Sequence, residues 1–330
     1  MGIYIENRQT DPYYNLALEQ AVFDRLGPGQ SCFMFWQNDN AIIIGKHQNT
    51  AEEINAAFVK EHNITVARRL SGGGAVYHDL GNLNFTFIAP LDNRQNFDFA
   101  FFCEPVRRAL LSLGVPVEIS GRNDMTVEGK KFSGNAQYIK ENKIMHHGTI
   151  LFDSSLDIIS NALMAKEKIE SRAIKSTNSR VTNIRPYLGH DMDIDVFRTA
   201  LKNSILPFLD MQETEPVPEY HETAMELREK VYSRWDWNYG NSPPHTRRKS
   251  RRIEGCGTIE IYLDMETEGR IKNIFFHGDF FGYQDPAELA VLLTGRRLEY
   301  SEIKSALNDI DVSRYFHALD MDGFLELLFE

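Results

Sequence analysis

"RRLSGGGAVYHDLGNLNFTFI", residues 68–88, sets two arginines, three consecutive glycines, a histidine and an aspartate ahead of a strand-like run. Each glycine loses more backbone freedom on folding than any other residue, so three in a row need a cause. A P-loop would end in Gly-Lys-Ser/Thr, and a dinucleotide fingerprint would place a glycine where Tyr77 stands; neither is present. What remains is an anion cradle in which Gly72, Gly73 and Gly74 turn backbone N–H groups toward an oxyanion. Arg69, just upstream, can offer a bidentate pair to phosphate or carboxylate, and Tyr77 or His78 can close over a ring or a ribose. A plain glycine turn between two strands fits the same composition. Arg68 and Arg69 point to opposite faces of a strand, so one at most serves a site and the other is expected on the surface.

Working outward, the first 150 residues alternate strand and helix signals. "GIYIEN" reads as a strand and "DPYYNLALEQAVFDRL" as a helix, with Asp11 at the N-cap and Pro12 at the first helical position. "SCFMFWQ" and "NAIIIGK" read as strands, followed by a helix whose capping box is Thr50 with Glu53. "ITVARRL" and "LNFTFIAP" flank the glycine loop, and a helix over "FDFAFFCEPVRRALLSLG" ends at Gly114. "VPVEIS", "DMTVEGKKFSGNAQYIK" and "KIMHHGTILFD" are strands, the last two a hairpin pair. From residue 154 the pattern turns helical, and Pro and Gly cluster in "NYGNSPPH". "GTIEIYLDMETEGRIKNIFF" is a second hairpin, and three helical stretches finish the chain. The division expected is a large α+β domain over 1–244, its 154–244 part mainly helical, and a small α+β domain over 245–330.

Composition narrows the classes. The 330 residues carry 36 basic against 47 acidic side chains, a net charge of −11, which argues against general nucleic-acid binding. The N-terminal "MGIYIENRQT" lacks a signal peptide's basic and apolar regions, and no apolar run is long enough to span a bilayer. Three widely separated cysteines without zinc spacing point to a reducing compartment, the cytoplasm.

A second stretch, "GRNDMTVEGKKFSGNAQY" at 121–138, supplies complementary chemistry. Asn123 and Asp124 are hard oxygen donors of the kind Mg²⁺ takes beside substrate phosphates, or else an ordinary Asn-Asp turn. Lys130 and Lys131 face opposite ways in a strand. Lys131 shares a face with Ser133 and precedes Gly134, which makes it the inward charge. His146 and His147, in "HHGTILFD", read equally well as structural histidines.

These segments in this order, with "SRVTNI", "DPYYNLALEQ" and "RWDWNYG", resemble the motif series of lipoate–protein ligase A, within the biotin/lipoate ligase superfamily. The resemblance covers most of the chain. It implies a large mixed-sheet catalytic domain plus a small C-terminal α+β domain that swings between two half-reactions. ATP and lipoate first give lipoyl-AMP and pyrophosphate, with Mg²⁺; a lysine of an apo lipoyl domain then takes the acyl group. Implied carriers are 2-oxoacid dehydrogenase subunits or the glycine-cleavage carrier protein, with no nucleic-acid or membrane partner. By the same resemblance, Lys131 and Arg69 are the catalytic cations and Gly73, Gly74, Ala75, Val76 and Tyr77 join them around the adenylate. His78, Ser133, Gly134, His147, Trp36 and Gly45 join Lys131 and Gly74 around lipoate, with Leu16, Leu18 and Ile44 in the tail pocket. Asp124 is the implied Mg²⁺ ligand.

Two rival readings share part of this pattern: an octanoyl or lipoyl transferase, which uses a cysteine nucleophile and no ATP, and a lipoate- or nucleotide-binding protein that never transfers. The basic run "HTRRKSRR", residues 245–252, reads as a solvated loop or as a steering patch for an acidic carrier.

Burying four or five methylenes of the tail at ~0.8 kcal/mol each gives about 4 kcal/mol, only about millimolar affinity. Most binding energy must therefore come from the adenylate end, and a pocket methylene discriminates only roughly 10–200-fold. Octanoate is expected to be adenylated too, more weakly than lipoate. Complete absence of octanoate-dependent AMP formation at saturating acid refutes this.

Overall fold

A computed structural model describes residues 2–91, 97–121, 123–163, 181–214, 217–240, 247–266 and 269–329. The chain forms two compact units: Met1–Ile44, Thr50–Leu70 and Ala75–Asn238 make the first, and Gly45–Asn49, Ser71–Gly74 and Tyr239–Glu330 the second. The domain boundary expected at 244/245 lies outside the described residues.

The first unit runs β1 (Gly2–Glu6), α1 (Pro12–Arg25), β2 (Ser31–Trp36), β3 (Ala41–Ile44), α2 (Thr50–Glu53), α3 (Ala56–Glu61), β4 (Thr65–Arg68), β5 (Val76–His78), β6 (Asn82–Pro90) and α4 (Phe99–Ser112). It continues with β7 (Val117–Ser120), β8 (Asp124–Val127), β9 (Lys130–Lys140), β10 (Lys143–Leu151), α5 (Leu156–Ala162), α6 (Ile194–Phe208), β11 (Met211–Glu213), α7 (Pro218–Leu227) and α8 (Trp235–Tyr239). An eight-stranded mixed sheet has the order β11-β1-β2-β6-β10-β9-β8-β7, and a three-stranded sheet has the order β4-β3-β5. The pairs β11/β1, β1/β2 and β3/β4 are parallel. Asp11 accepts the Tyr13 N–H at 2.9 Å to start α1, with Pro12 at its first turn. Leu16, Leu18, Val22 and Phe23 of that helix pack with Met34 and Trp36 of β2 into one apolar cluster.

The second unit is α+β. Strands β12 (Arg247–Ile253), β13 (Gly257–Met265) and β14 (Ile271–Gly278) pair antiparallel in that order. Helices α9 (Ala287–Leu293), α10 (Tyr300–Ala306) and α11 (Met321–Phe329) follow. Ile259, Ile261 and Leu263, alternate residues of β13, share a core with Leu289, Ile303 and Phe324.

Several local expectations are corrected. The single helix after Thr50 is two, because Asn55 accepts the Phe58 N–H at 3.3 Å and begins α3. Thr50 is otherwise engaged: its hydroxyl donates to the Asn238 carbonyl at 2.7 Å. The segment 124–140 folds back at Glu128 and Gly129, both at positive φ, to give β8 and β9. The basic run is no loop, since its residues 247–252 belong to β12; residues 245 and 246 lie outside the described residues.

The expectation that one of Arg68 and Arg69 is surface charge also fails, for both are buried. Arg68 is a strut. Its guanidinium donates to the Trp237 carbonyl (2.9 Å), the Thr50 hydroxyl (2.6 Å) and the Asn238 carbonyl (3.1 Å). Its backbone N–H reaches the Asn238 side chain, and its carbonyl accepts from the Trp237 indole. "RWDWNYG" is thereby fastened to β4. Arg68→Met removes these charge-assisted bonds and takes this donor from the Trp237 carbonyl, while Thr50 and the Asn238 carbonyl keep each other; a hydrogen bond to a charged group is worth about 1.5–3 kcal/mol. The variant is expected to lose roughly 2–4 kcal/mol in urea denaturation; a midpoint equal to that of the parent protein contradicts the strut.

Candidate active site

In the first unit, α1, β2, β6 and β10 meet around one buried carboxylate. Glu19 accepts the Thr86 hydroxyl at 2.5 Å, and its two oxygens lie 2.9 and 3.2 Å from His147 Nδ1. Trp36 Nε1 donates to Thr86 at 2.8 Å. The β-register explains the convergence: Thr86 faces Met34 on one side and His147 on the other, with Trp36 two residues along β2. A carboxylate can only accept, so His147 carries its hydrogen on Nδ1. Leu16 and Leu18 belong to the same apolar cluster as Trp36; Ile44 is fully buried on the neighbouring β3.

Arg69 belongs to this neighbourhood. It is buried, donates to the Ile43 carbonyl at 3.1 Å, and is lowered to about 10 by burial, with the Glu19 charge pulling it up and Arg68 pushing it down. It therefore stays charged. His78 is buried as well: Asn38 Nδ2 lies 3.1 Å from its Nδ1, and Trp36 packs against its ring at 6.0 Å. Burial, then the Arg69 charge and the neighbouring His147, lowers its imidazole to about 3. The Asn38 amide assigns its proton to Nε2, an atom with no hydrogen-bond partner among the described residues. Tyr77 is pinned by its hydroxyl to Asn40 at 3.0 Å.

The other predicted cation stands on the edge half of the large sheet. Lys131 Nζ lies 2.7 Å from Asp124 Oδ1, with the two side chains 40% and 35% exposed, whereas Lys130 is exposed. Between Lys131 and Ser133 the β8/β9 register shifts, so strict alternation does not hold there: a bulge, and not a shared strand face, aims the two side chains. Ser133 is buried and accepts from Asn135 at 3.3 Å. At Gly134 a Cβ would stand 3.0 Å from Lys131 Nζ and 3.1 Å from its Cε, so the glycine clears room for the lysine. The Lys131 carbonyl accepts the Thr182 N–H at 2.9 Å, tying it to the "VTNI" part of the connector; Ser179 and Arg180 lie outside the described residues. Asn123 spends its amide on the Asn135 carbonyl at 2.6 Å. Asp124 holds its Oδ1 against Lys131, and no cluster of three or more metal-binding side chains forms among the described residues.

The glycine run divides three ways. A Cβ at Gly72 would fall 2.1 Å from the Phe280 carbonyl oxygen, Gly73 adopts φ +88, and a Cβ at Gly74 would meet no atom within 4 Å. At Gly72 a side chain is excluded by the chain's own backbone, and at Gly73 the left-handed φ favours glycine. Ser71–Gly74 belongs to the second unit, as does Gly45, while Ala75, Val76, Tyr77 and His78 belong to the first.

Sequence reasoning passed over Glu19. Its only signal was an acid set among Leu16, Ala17, Leu18, Ala21 and Val22 on the inner side of α1. It also passed over Lys46, Phe280 and Asp285.

Over residues 11–206 the chain matches the lipoyl protein ligase A/B catalytic domain, and over 242–328 the bacterial lipoate protein ligase C-terminus. The lipoate-protein ligase LplJ of Bacillus subtilis (strain 168) is 43% identical to it over 335 residues, covering 99% of this chain and 100% of that protein. A bi-partite lipoate protein ligase of Thermoplasma acidophilum, described with its E2 lipoyl domain, superimposes with a TM-score of 0.65 at 29% identity. The overlap covers 74% of this chain and 99% of that one. A lipoate-protein ligase A bound with ATP gives 0.61 at 27% identity, covering 72% of this chain and 98% of that one.

The buried neutral His78 has a measurable consequence. The unfolded chain protonates this imidazole below about pH 6.5 and the folded chain only near pH 3, so stability present above pH 6.5 falls as the pH is lowered. Its share is about 2 kcal/mol by pH 5, at about 1.36 kcal/mol per unit. Urea midpoints at pH 7.5 and 5 should converge for His78→Gln relative to the parent; identical pH dependence in both proteins rules the assignment out.

Proposed function

The chain belongs to the lipoyl protein ligase A/B family, and from that premise we propose that it joins lipoate to a lysine of lipoyl carrier domains in two steps, with ATP. A lipoate carboxylate oxygen attacks the α-phosphorus; a P–O bond forms, the bond to pyrophosphate breaks, and lipoyl-AMP results. The amine of the carrier lysine then attacks the acyl carbon. An amide forms, the bond to AMP breaks, and the proton passes to water.

The observation that carries this reading is the Lys131–Asp124 pair, 2.7 Å apart and partly exposed on the bulged strand, with Gly134 bare beneath it. Two anions cannot meet without positive charge where the new bond forms, and the Lys131 ammonium is both cationic and reachable. We assign it to the acyl carbonyl and the adenylate phosphate. Arg69, charged but sealed against Ile43 and near Glu19, acts from within by holding positive potential behind β4. Gly74, Ala75, Val76 and Tyr77 line the adenylate with main chain. Trp36, His78, Ser133 and His147 border the lipoyl group, with Gly45 at its loop. The buried apolar surroundings of Trp36 and Leu16 keep water from the hydrolysable anhydride.

Mg²⁺ fits one carboxylate beside substrate phosphates, and Asp124 is the group we assign to it; when bound, the ion screens phosphate charge. The proposed acceptors are lipoyl domains of 2-oxoacid dehydrogenase subunits or the glycine-cleavage carrier protein. On β12, Arg252 is exposed and Arg248 lies 3.2 Å from the buried Glu260, so Arg252 is the better candidate for steering an acidic carrier. A thiol route has less support, because Cys32, Cys103 and Cys256 are buried and burial raises Cys32 well above its ordinary value and Cys103 to about 12. No helix among the described residues is long and apolar enough to cross a membrane, and the cytoplasm is the proposed location.

An apo lipoyl domain incubated with this protein, lipoate, ATP and Mg²⁺ should gain the mass of one lipoyl group, with pyrophosphate and AMP released. Lys131→Ala should lower turnover at least about 100-fold, as expected for loss of a group that stabilises transition-state charge. Modification that proceeds without ATP, or survives in Lys131→Ala, argues against the proposal.

A further inference from the structure

Segment 278–285 of the second unit, "GDFFGYQD", grips two loops drawn from far earlier in the chain. The Gly278 N–H donates to the His47 carbonyl at 2.9 Å, and the Phe280 ring stacks on the His47 ring at 4.6 Å with 11° between planes. Asp285 Oδ2 lies 3.2 Å from Lys46 Nζ. The Phe280 carbonyl occupies the space beside Gly72 where a Cβ would stand. The two loops are joined to each other, since the Lys46 N–H donates to the Ser71 carbonyl at 2.8 Å.

The segment itself is rigid by construction. A Cβ at Gly282 would meet the Tyr315 carbonyl oxygen at 2.1 Å, the N–H groups of Tyr283 and Gln284 both donate to the Arg314 carbonyl, and Phe280 is fully buried in the core. Burial works to raise Asp285, but the Ala287 N–H at 3.0 Å and the Lys46 ammonium outweigh it and keep the carboxylate ionised. A stiff element therefore holds a turn containing Gly45 and a run containing Gly73 and Gly74. A free loop of this glycine content would have to be ordered at each binding event, at a cost in backbone entropy.

We propose that Phe280 and Asp285 are positioning residues for adenylation: through His47, Lys46 and Gly72 they preset the 45–49 and 71–74 loops for lipoate and ATP. The inference rests on the ligase reading above, which assigns Gly45 and Gly74 to those ligands. Preset loops lower the entropy lost on binding, so the effect falls on KM before kcat.

The test compares the parent, Lys46→Glu, Asp285→Lys and the double charge swap, each as the full chain. Two readouts are taken: amide hydrogen exchange at Lys46 and Gly278 without ligand, and lipoate-dependent pyrophosphate–ATP exchange. Each single variant should lose protection at both amides and show at least a five-fold higher KM for lipoate or ATP with a smaller change in kcat. The double swap should restore both. Unchanged protection in the singles, or unchanged KM despite lost protection, or a double swap no better than the worse single, overturns the proposal. A parent protein with no lipoate-dependent exchange counts against the ligase reading instead, and amide protection then still decides whether the grip exists.

Discussion

One buried negative charge organises the catalytic unit. Glu19 is 1% exposed, and a carboxylate taken out of water survives only if its lone pairs are met by donors and its charge by a cation. Thr86 and His147 meet the lone pairs, and Arg69 lies near enough to feel the charge. Each of these comes from a different element, so the helix, the middle of the large sheet and the strand leading to the glycine run are fixed relative to one another by the need to solvate one group. The indole of Trp36 is oriented by the same string through Thr86. The apolar cluster beside it supplies the bulk of the stabilisation without direction; the polar string supplies the direction.

The two cations singled out from the sequence are held in opposite ways, and the difference suits different tasks. Arg69 is buried and donates to the Ile43 carbonyl. Lys131 is half open, paired to a partly exposed carboxylate, and rests above a glycine that leaves its stem free. A surface pair of that kind is worth little for stability, so keeping an ammonium at a strand bulge is better explained by what it can reach than by what it holds together.

Much of the secondary structure was legible because it rests on local rules. Asp11 with Pro12, Gly114 at positive φ, and the alternation in 257–278 each announce their element within a few residues. Local rules also misled where a distant partner won. Thr50 looks like a cap until Asn238 and Arg68 claim its hydroxyl, and the basic run looks like a loop until β13 pairs with it. Lys131 was picked out by a strand alternation that the bulge at Phe132 breaks, and its pairing with Asp124 is one that no periodicity encodes.

The sequence by itself determined the family, the α+β class and the chemical kinds present: bare glycines, an arginine before them, and a lysine with an aspartate seven residues back. Those follow from composition and order along the chain. Only the tertiary structure decided what each is for. Three adjacent glycines have three different neighbours, a carbonyl from position 280, a left-handed turn and open space, because close approach depends on which distant backbone folds against the run. Glu19 becomes central for the same reason: a carboxylate's role is set by the donors that surround it after burial, and those donors sit 67 and 128 residues away.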